Sequence, residues 1–447
     1  MSFIHLFMLC FLAVTGIAFT FIKPRIIFFA CIFSLMAFND YIGGLPSSVM
    51  NIGGHLFYAA DFFLVLLYVA VIRGLWKRDL EFKLDRPVFA IIVVFIAYGI
   101  LSMVIGAYHH YIYNDIIGDF RRYYYYPLAI FIPMLLLQDS RDIQIVEKAV
   151  FVAAPIICVF GFFRIITGQT YFPEVHANPY DQFRAMGFHD YIILIFAICL
   201  AMGKTVLRNG KDTLSKAYLL LLPPFVIASN FRIAWALLIM GPLAMLFLLR
   251  SKGISSQPLR RTLLLSVLVV ILIGGAAKIS GSATYQALET RVVDQVLNYT
   301  FEESQRDYLW EEVLTKWQVV PWMGIGLGKN VTYVTRSFDG EWVVAQAGSL
   351  HNSYLELALK TGIIGLALFL LLQGMLIIRC LKASRQAKLH LPFALAGIVL
   401  VISMLIQTGI QPFLTEPNSV VLIYLVIGSI LSLSHLKLNH ELEGTMR

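Results

Sequence analysis

Three arginines and one histidine, all in polar segments between apolar runs, are the side chains best suited to chemistry. Arg232 lies in NFRIAW, Arg306 in RDYLW and His351 at the start of HNSYLELALKTGIIG, and Arg184 in FRAMGFHD is a fourth, weaker candidate. Arginine binds phosphate oxygens through a planar fork and stabilises developing negative charge, and histidine can take up a hydroxyl proton. The set predicts an anionic substrate.

The position of His351 suits a general base. Asn352 or Ser353 can cap the helix that follows, which leaves His351 at the helix mouth. The positive end of the helix dipole favours the neutral imidazole, the form that accepts a proton. The alternative is an interfacial histidine bonded to a loop carbonyl. Asn352 is also a candidate substrate-binding residue.

A second cationic group is Arg121 and Arg122, which four tyrosines beginning at Tyr123 follow directly. The pattern fits an aromatic belt at the membrane interface or a contact with lipid phosphate, in which Arg121, Arg122 and Tyr123 bind substrate. Arg232, Arg184 and Arg306, each taken singly, could instead snorkel or pair with a carboxylate such as Asp119 or Glu302.

The segment GIGLG places Gly324, Gly326 and Gly328 two residues apart. This spacing differs from the GxGxxG of dinucleotide sites, and no strand precedes it. We expect a tight backbone turn close to another element, with Gly326 near the substrate.

No metal or cofactor site is predicted. The five cysteines lie in or at the ends of apolar runs, and the sequence contains no HExxH, Walker or paired DxD motif. A metal-independent reaction without a cofactor is the simplest expectation.

The elements that must position these residues are membrane helices. With 447 residues, 59% hydrophobic, 14% charged and a mean hydropathy of +0.76, the chain is predicted to be an all-α polytopic membrane protein. About 12 or 13 apolar runs approach the ~20 residues that a span needs. They lie at residues 3–22, 26–38, 56–72, 88–108, 123–137, 148–167, 190–203, 217–229, 232–249, 262–277, 361–379, 391–409 and 419–434. The first resembles a signal peptide but lacks a basic start and a cleavage site, so we take it as a span.

Lysine and arginine in the short loops predict the orientation. If the helices alternate, the basic loops share the cytoplasmic side, and the loop at 278–360 faces outward. The predicted organisation is a transmembrane bundle (1–277), the large outer loop (278–360), and a second set of helices with a short cytoplasmic tail (361–447). The net charge of +8 reflects this bias, and we expect no nucleic-acid partner.

The large loop is predicted to carry an amphipathic helix on the membrane surface. Thr300 and Glu303 have the spacing of a capping box, an apolar stripe of Tyr308, Leu309, Val313 and Trp317 follows, and Pro321 ends the helix.

In the order of these motifs, from FRAMGFHD through NFRIAW, RDYLW and PWMGIGLG to HNSYLELALKTGIIG, residues 184–366 resemble the O-antigen ligase and polymerase superfamily of bacterial envelope glycosyltransferases. The resemblance implies a GT-C-like architecture, with Arg232, Arg306 and His351 as catalytic residues. Asn230 and Phe231 depart from the small residue and serine that the family places before its first arginine.

The resemblance further implies an inner-membrane enzyme whose periplasmic site transfers O-antigen from undecaprenyl diphosphate to a sugar hydroxyl of lipid A-core, in an inverting reaction. The alternative within the superfamily is an O-antigen or exopolysaccharide polymerase. A protein-directed oligosaccharyltransferase fits less well, because the soluble part after residue 434 is short. The alternative from another class is a transporter of lipid-linked glycans, which predicts polar residues at mid-membrane and internal repeats.

Overall fold

The structure is a computed structural model that describes residues 23–37, 48–52, 55–78, 80, 85–167, 187–228, 232–279, 305–336, 342–347, 350, 352–411 and 413–434. Its helices are α1 (Pro24–Ala37), α2 (Ala59–Trp76), α3 (Arg86–Tyr108), α4 (Tyr113–Phe120), α5 (Phe131–Leu136), α6 (Ser140–Thr167), α7 (Phe188–Leu207), α8 (Thr213–Ala228), α9 (Arg232–Ser251), α10 (Gln257–Ile279), α11 (Gln305–Val319), α12 (Ser353–Gln386), α13 (Leu391–Ile410) and α14 (Pro417–Ser432). Two antiparallel hairpins accompany them, β1 (Ser48–Ile52) with β2 (His55–Tyr58) and β3 (Val331–Arg336) with β4 (Trp342–Ala347).

Apolar helices of membrane-spanning length confirm the predicted fold class. Within the described residues eight helices are long and apolar enough to cross a membrane: α2, α3, α6, α7, α9, α10, α12 and α13. Three shorter apolar helices, α1, α8 and α14, join them. These match the predicted runs one to one, apart from run 123–137, while run 3–22 lies outside the described residues. The chain is an all-α polytopic membrane protein.

Run 123–137 is not one regular helix. A π-helical turn at Arg121–Tyr125 and a 3-10 helix at Tyr126–Ile130 join α4 to α5. Pro127 lies in this segment, and proline removes a backbone donor from the helical ladder. Tyr123, Tyr124 and Tyr126 are buried inside the bundle, so the expectation of an interfacial aromatic belt is wrong for these three tyrosines.

The large loop packs around α11. Leu309 and Val313, from the predicted stripe, are buried against Val331 of β3, Leu350 and Leu359 of α12. The β3–β4 hairpin was not predicted, although VTYVTR and WVVAQA are rich in the β-branched and aromatic residues that favour strands. Thr300 and Glu303 lie outside the described residues.

Helix α12 is broken near its start. Gly362 has φ 68° and ψ −177°, a conformation that glycine adopts readily. The amides of Ile363 and Ile364, freed by the break, donate to the carbonyls of Pro321 (2.8 Å) and Trp322 (3.4 Å). Residues 353–361 therefore form a short buried half-helix, and the part that faces lipid starts at Ile363.

Ionic contacts segregate to two ends of the bundle. At the predicted cytoplasmic end, Arg25 pairs with Asp142 (3.5 Å) and Arg379 with Asp85 (3.4 Å). At the opposite end, loop residues predicted to face outward contact one another, as in the bond from Asn330 to Asp115 (3.3 Å). This arrangement agrees with alternating spans.

Candidate functional site

Asp119, near the end of α4, connects three segments that carry predicted site residues. Its carboxylate accepts the Gly328 amide (2.7 Å), receives the Lys360 ammonium of α12 (2.8 Å) and lies 3.8 Å from the Arg122 guanidinium. Asp119 is 3% exposed and Lys360 3% exposed. Arg122, the glycine turn and the half-helix after His351 are thus joined at one carboxylate.

Glu356 completes this cluster from one turn earlier in α12. Its Oε1 lies 2.8 Å from the Lys360 ammonium, and its side chain is fully buried. The phenol of Tyr123 lies beside Glu356, and the Tyr123 ring lies below Lys360, with the ammonium 5.9 Å from the ring centroid. Two carboxylates face two cations, so the cluster is neutral overall, as buried charges require. We call Asp119, Arg122, Glu356 and Lys360 the outer charge cluster.

Arg122 remains charged in this setting. Burial is the largest single influence and lowers the pKa of its guanidinium, but the Asp119 carboxylate together with Tyr123, Tyr58 and Glu356 outweighs burial, and the net pKa lies above its ordinary value. The Nε of Arg122 has no hydrogen-bond acceptor among the described residues. The Nε donor of Arg122 is therefore not used by these residues, while its terminal nitrogen contacts Asp119.

Arg121 contributes to a different network. Its guanidinium pairs with Asp61 of α2 (3.3 Å) and lies 5.2 Å from the ring centroid of Tyr58. Asp61 also accepts the Tyr126 hydroxyl (3.0 Å) and the Tyr58 amide (2.9 Å). Because adjacent residues point to different faces of a helical segment, the two arginines reach separate carboxylates.

The glycine turn is the close backbone approach that its spacing predicts. Gly324, Gly326 and Gly328 have φ values of 71°, 90° and 91°. A Cβ at Gly326 would lie 2.5 Å from the Gly106 amide nitrogen, and the Gly326 amide donates to the Lys360 carbonyl (2.9 Å). The turn is thus wedged between α3 and the half-helix of α12, and Gly326 uses its own donor internally.

Asn352 is the residue that caps α12. Its side-chain oxygen accepts the amides of Tyr354 (3.0 Å) and Leu355 (3.1 Å). Nearby, the indole nitrogen of Trp310 in α11 donates to the Leu350 carbonyl (2.9 Å). The chain on both sides of His351 is therefore held, on one side by the helix that carries Arg306 and on the other by its own cap.

The predicted catalytic side chains are only partly described. His351 and Arg184 lie outside the described residues; Arg232 and Arg306 are in the first turns of α9 and α11, and the structure describes only their backbone. A Cβ at Gly203 of α7 would lie 2.8 Å from both Met245, late in α9, and Pro392, at the start of α13, and a Cβ at Gly241 of α9 would lie 3.6 Å from Val399 of α13. The two helices are therefore antiparallel, and the start of α9 and the end of α13 share one end of the bundle. There the Ser353 hydroxyl donates to the Gln411 carbonyl (3.4 Å). The segments with Arg232, Arg306 and His351 converge at that end.

Three members of the cluster were missed as site residues. Asp119 was anticipated only as a partner for an outer arginine, and Glu356 and Lys360 were not singled out. The available signal was a Glu and a Lys four residues apart at the start of an apolar helix, since ionisable residues in spans mark functional or paired positions.

A second buried polar cluster lies at the opposite end. Ser140 Oγ is 2.8 Å from His390 Nε2, and His390 Nδ1 is 3.0 Å from Glu147 Oε1. The order of contacts resembles a hydrolase triad, but all three residues are buried and Lys204 pairs with Glu147 at 2.5 Å. These contacts join α6, α7 and the start of α13. Within the described part of the chain, no group of three His, Cys, Asp or Glu is placed to hold a metal ion.

Comparison with known families agrees with the motif order. Residues 217–370 match the family model described as O-antigen ligase. No curated protein matches the chain. The matched region runs from α8 into α12 and contains Arg232, Arg306 and His351, together with Glu356 and Lys360 of the outer charge cluster. Residues 217–370 of this membrane protein are thus an O-antigen ligase domain, of the O-antigen ligase and polymerase superfamily.

Proposed function

We propose that this protein is an O-antigen ligase, which transfers glycan from undecaprenyl diphosphate to a sugar hydroxyl of lipid A-core on the periplasmic face of the inner membrane. The observation that carries the proposal is the convergence of three segments at one end of the bundle. The starts of α9 and α11 and the capped start of α12, which bring Arg232, Arg306 and His351, are all there.

The depth of this end suits a lipid diphosphate. Helix α12 rises about 24 Å between Ile363 and Arg379, at about 1.5 Å per residue. The hydrocarbon core of a bilayer is about 30 Å thick. If Arg379 marks the cytoplasmic boundary, the break at Gly362 lies close to the outer boundary. The outer charge cluster then lies at headgroup depth, shielded by protein.

The chemistry needs charge stabilisation and a base. The donor contains its own leaving group, so the protein has to stabilise the departing diphosphate, which we assign to Arg232 and Arg306, with Arg184 as a further contact. His351 takes the proton of the acceptor hydroxyl as the oxygen attacks the anomeric carbon. Direct attack inverts that centre. We assign a positioning role to Arg122, Tyr123, Asn352 and Gly326, because their contacts hold the elements on which this site is built.

A polymerase would use the same site with another lipid-linked repeat unit as acceptor. The family match covers ligases and polymerases alike. The single large outer loop that contains His351, with no second large arginine-rich loop in the sequence, is the observation that favours the ligase. The transporter alternative expects ionisable residues at mid-membrane. Instead, the buried ion pairs of the described spans lie at the two ends, around Asp119 and around Glu147.

The experiment is a transfer assay with purified protein in lipid nanodiscs. We expect undecaprenyl diphosphate to be released when the lipid-linked glycan is offered with lipid A-core, in chelator and without nucleotide. Release with a second lipid-linked repeat unit only would assign a polymerase. Binding of donor without any release would support the transporter, and a strict need for a divalent ion would overturn the arginine-based account.

A further inference from the structure

A short apolar turn at the end of α11 is exposed on the surface of the protein. It comprises residues 319–323, with the sequence VVPWM. Val319 is 80% exposed, Trp322 68% and Met323 42%. Neighbouring apolar side chains left uncovered in this way mark a contact surface, because their burial is worth about 25 cal/mol per Å². We call these residues the apolar turn.

The apolar turn is fixed to the lipid-facing part of α12. The carbonyls of Pro321 and Trp322 accept the amides of Ile363 and Ile364, and a Cβ on Gly362 would lie 2.0 Å from the Trp322 carbonyl oxygen. Ile363 and Ile364 are themselves exposed apolar residues, at 38% and 39%. The two surfaces are therefore continuous.

The level of this contact in the membrane follows from α12. Ile363 lies about 24 Å along the helix from Arg379, within a hydrocarbon core of about 30 Å. Trp322, which is bonded to the residues at this level, is at the depth where tryptophan is enriched in membrane proteins.

We infer that the apolar turn inserts into the outer leaflet of the bilayer, with the Trp322 ring at the boundary between headgroups and acyl chains. The occupant of this surface is phospholipid. Insertion would hold the end of α11 at the membrane surface, so the helix that carries Arg306 could not lift away from α12. The inference does not depend on the reaction that the protein catalyses.

The exposed polar face of the preceding turns of α11 supplies an internal reference. Glu311 is exposed, and Glu312 forms a surface pair with Lys316 (3.0 Å). Charged side chains avoid hydrocarbon, so this face should remain in water while the apolar turn is in lipid.

The test uses nitroxide spin labels on the full chain in phospholipid nanodiscs. Four of the five cysteines are buried: Cys31, Cys158, Cys199 and Cys380. Only the fifth is therefore replaced, by Cys10→Ser, and this protein without an added cysteine measures the background labelling. Labels are placed singly by Trp322→Cys, by Ile364→Cys as the lipid reference and by Glu311→Cys as the water reference. Collision rates with oxygen, which partitions into lipid, and with a water-soluble nickel chelate are then compared.

We expect the oxygen-to-nickel collision ratio at position 322 to lie near that at 364 and several-fold above that at 311. A ratio at 322 equal to that at 311 would overturn the inference and leave the apolar turn facing water or a protein partner. Because no glycan is present, failure here is distinct from failure of the transfer assay.

Discussion

Asp119 is the described residue at which Arg122, the glycine turn and the start of α12 are joined. It contacts Arg122, Gly328 and Lys360 within one buried cluster. Removal of one partner from such a cluster leaves a buried charge without compensation, which costs far more than loss of a pair in water.

Replacement of Lys360 should show this cost. Lys360→Met leaves Asp119 and Glu356 short of one cation, and we expect a loss of about 3–5 kcal/mol, measured as a large fall in the thermal unfolding midpoint in detergent. The matched control is Lys316→Met, since Lys316 and Glu312 form an i,i+4 pair with side chains 31% and 41% exposed. Such a pair is worth about 0–1 kcal/mol. Equal midpoints for the two variants would show that the cluster does not hold the fold together.

The proposed arginines should respond to a change that preserves their charge. Arg232→Lys or Arg306→Lys keeps the cation but loses the planar fork, and we expect both the transfer rate and the affinity for donor to fall. Arg208→Lys is a control, because Arg208 forms an exposed pair with Asp212 (3.1 Å) at the opposite end. Donor titrations would separate the two effects, and unchanged donor binding in both site variants would remove the arginines from the diphosphate.

At the scale of elements, the glycine turn leaves less room for a side chain than its sequence spacing alone indicates. Gly326→Ala would put a methyl group 2.5 Å from a backbone nitrogen at a φ of 90°. We expect a strongly lowered unfolding midpoint or no folded protein. Gly374→Ala is the control, since nothing lies within 4 Å of its Cβ position and alanine favours a helix by about 1 kcal/mol. Equal unfolding midpoints for Gly326→Ala and Gly374→Ala would show that the glycine turn is not packed tightly between α3 and α12.

Elements that depend on local pattern were predictable, and elements that depend on distant partners were not. The apolar runs located the spans, and the glycine spacing predicted a tight turn. The apolar run began at residue 361, whereas the cap predicted at Asn352 or Ser353 placed the helix start where α12 has it, at Ser353. The charges of the half-helix between these two points were not explained by the sequence, and they are stable there because Lys360, Glu356 and Asp119 neutralise one another.

The candidate site shows the same division. The sequence order of NFRIAW, RDYLW and HNSYL indicated the candidate residues, but the partners of Arg121 and Arg122 were not readable from it. Adjacent residues point to different faces of a helical segment, and the packing of α2 and α4 around this turn pairs Arg121 with Asp61 and Arg122 with Asp119. No local pattern specifies which of two distant carboxylates an arginine reaches.

At the scale of the whole molecule, the account requires the β3–β4 hairpin and the α9–α10 loop to face opposite sides. Thr332 and Ser255 are exposed in these two places. In cells whose inner membrane is intact, Thr332→Cys should react with an impermeant thiol reagent added from the periplasm, and Ser255→Cys should not. The opposite labelling would invert the topology and remove the site from the periplasm.

The most direct test of the central claim is single-turnover glycan transfer by His351→Ala, with His109→Ala as a control because His109 is exposed in another predicted outer loop. If His351 is the base at the converged end of the bundle, the substitution should lower the transfer rate by about 10²–10⁴ and leave donor affinity nearly unchanged. His109→Ala should behave as the parent protein. Transfer at the parent rate by normally expressed His351→Ala protein would contradict the account.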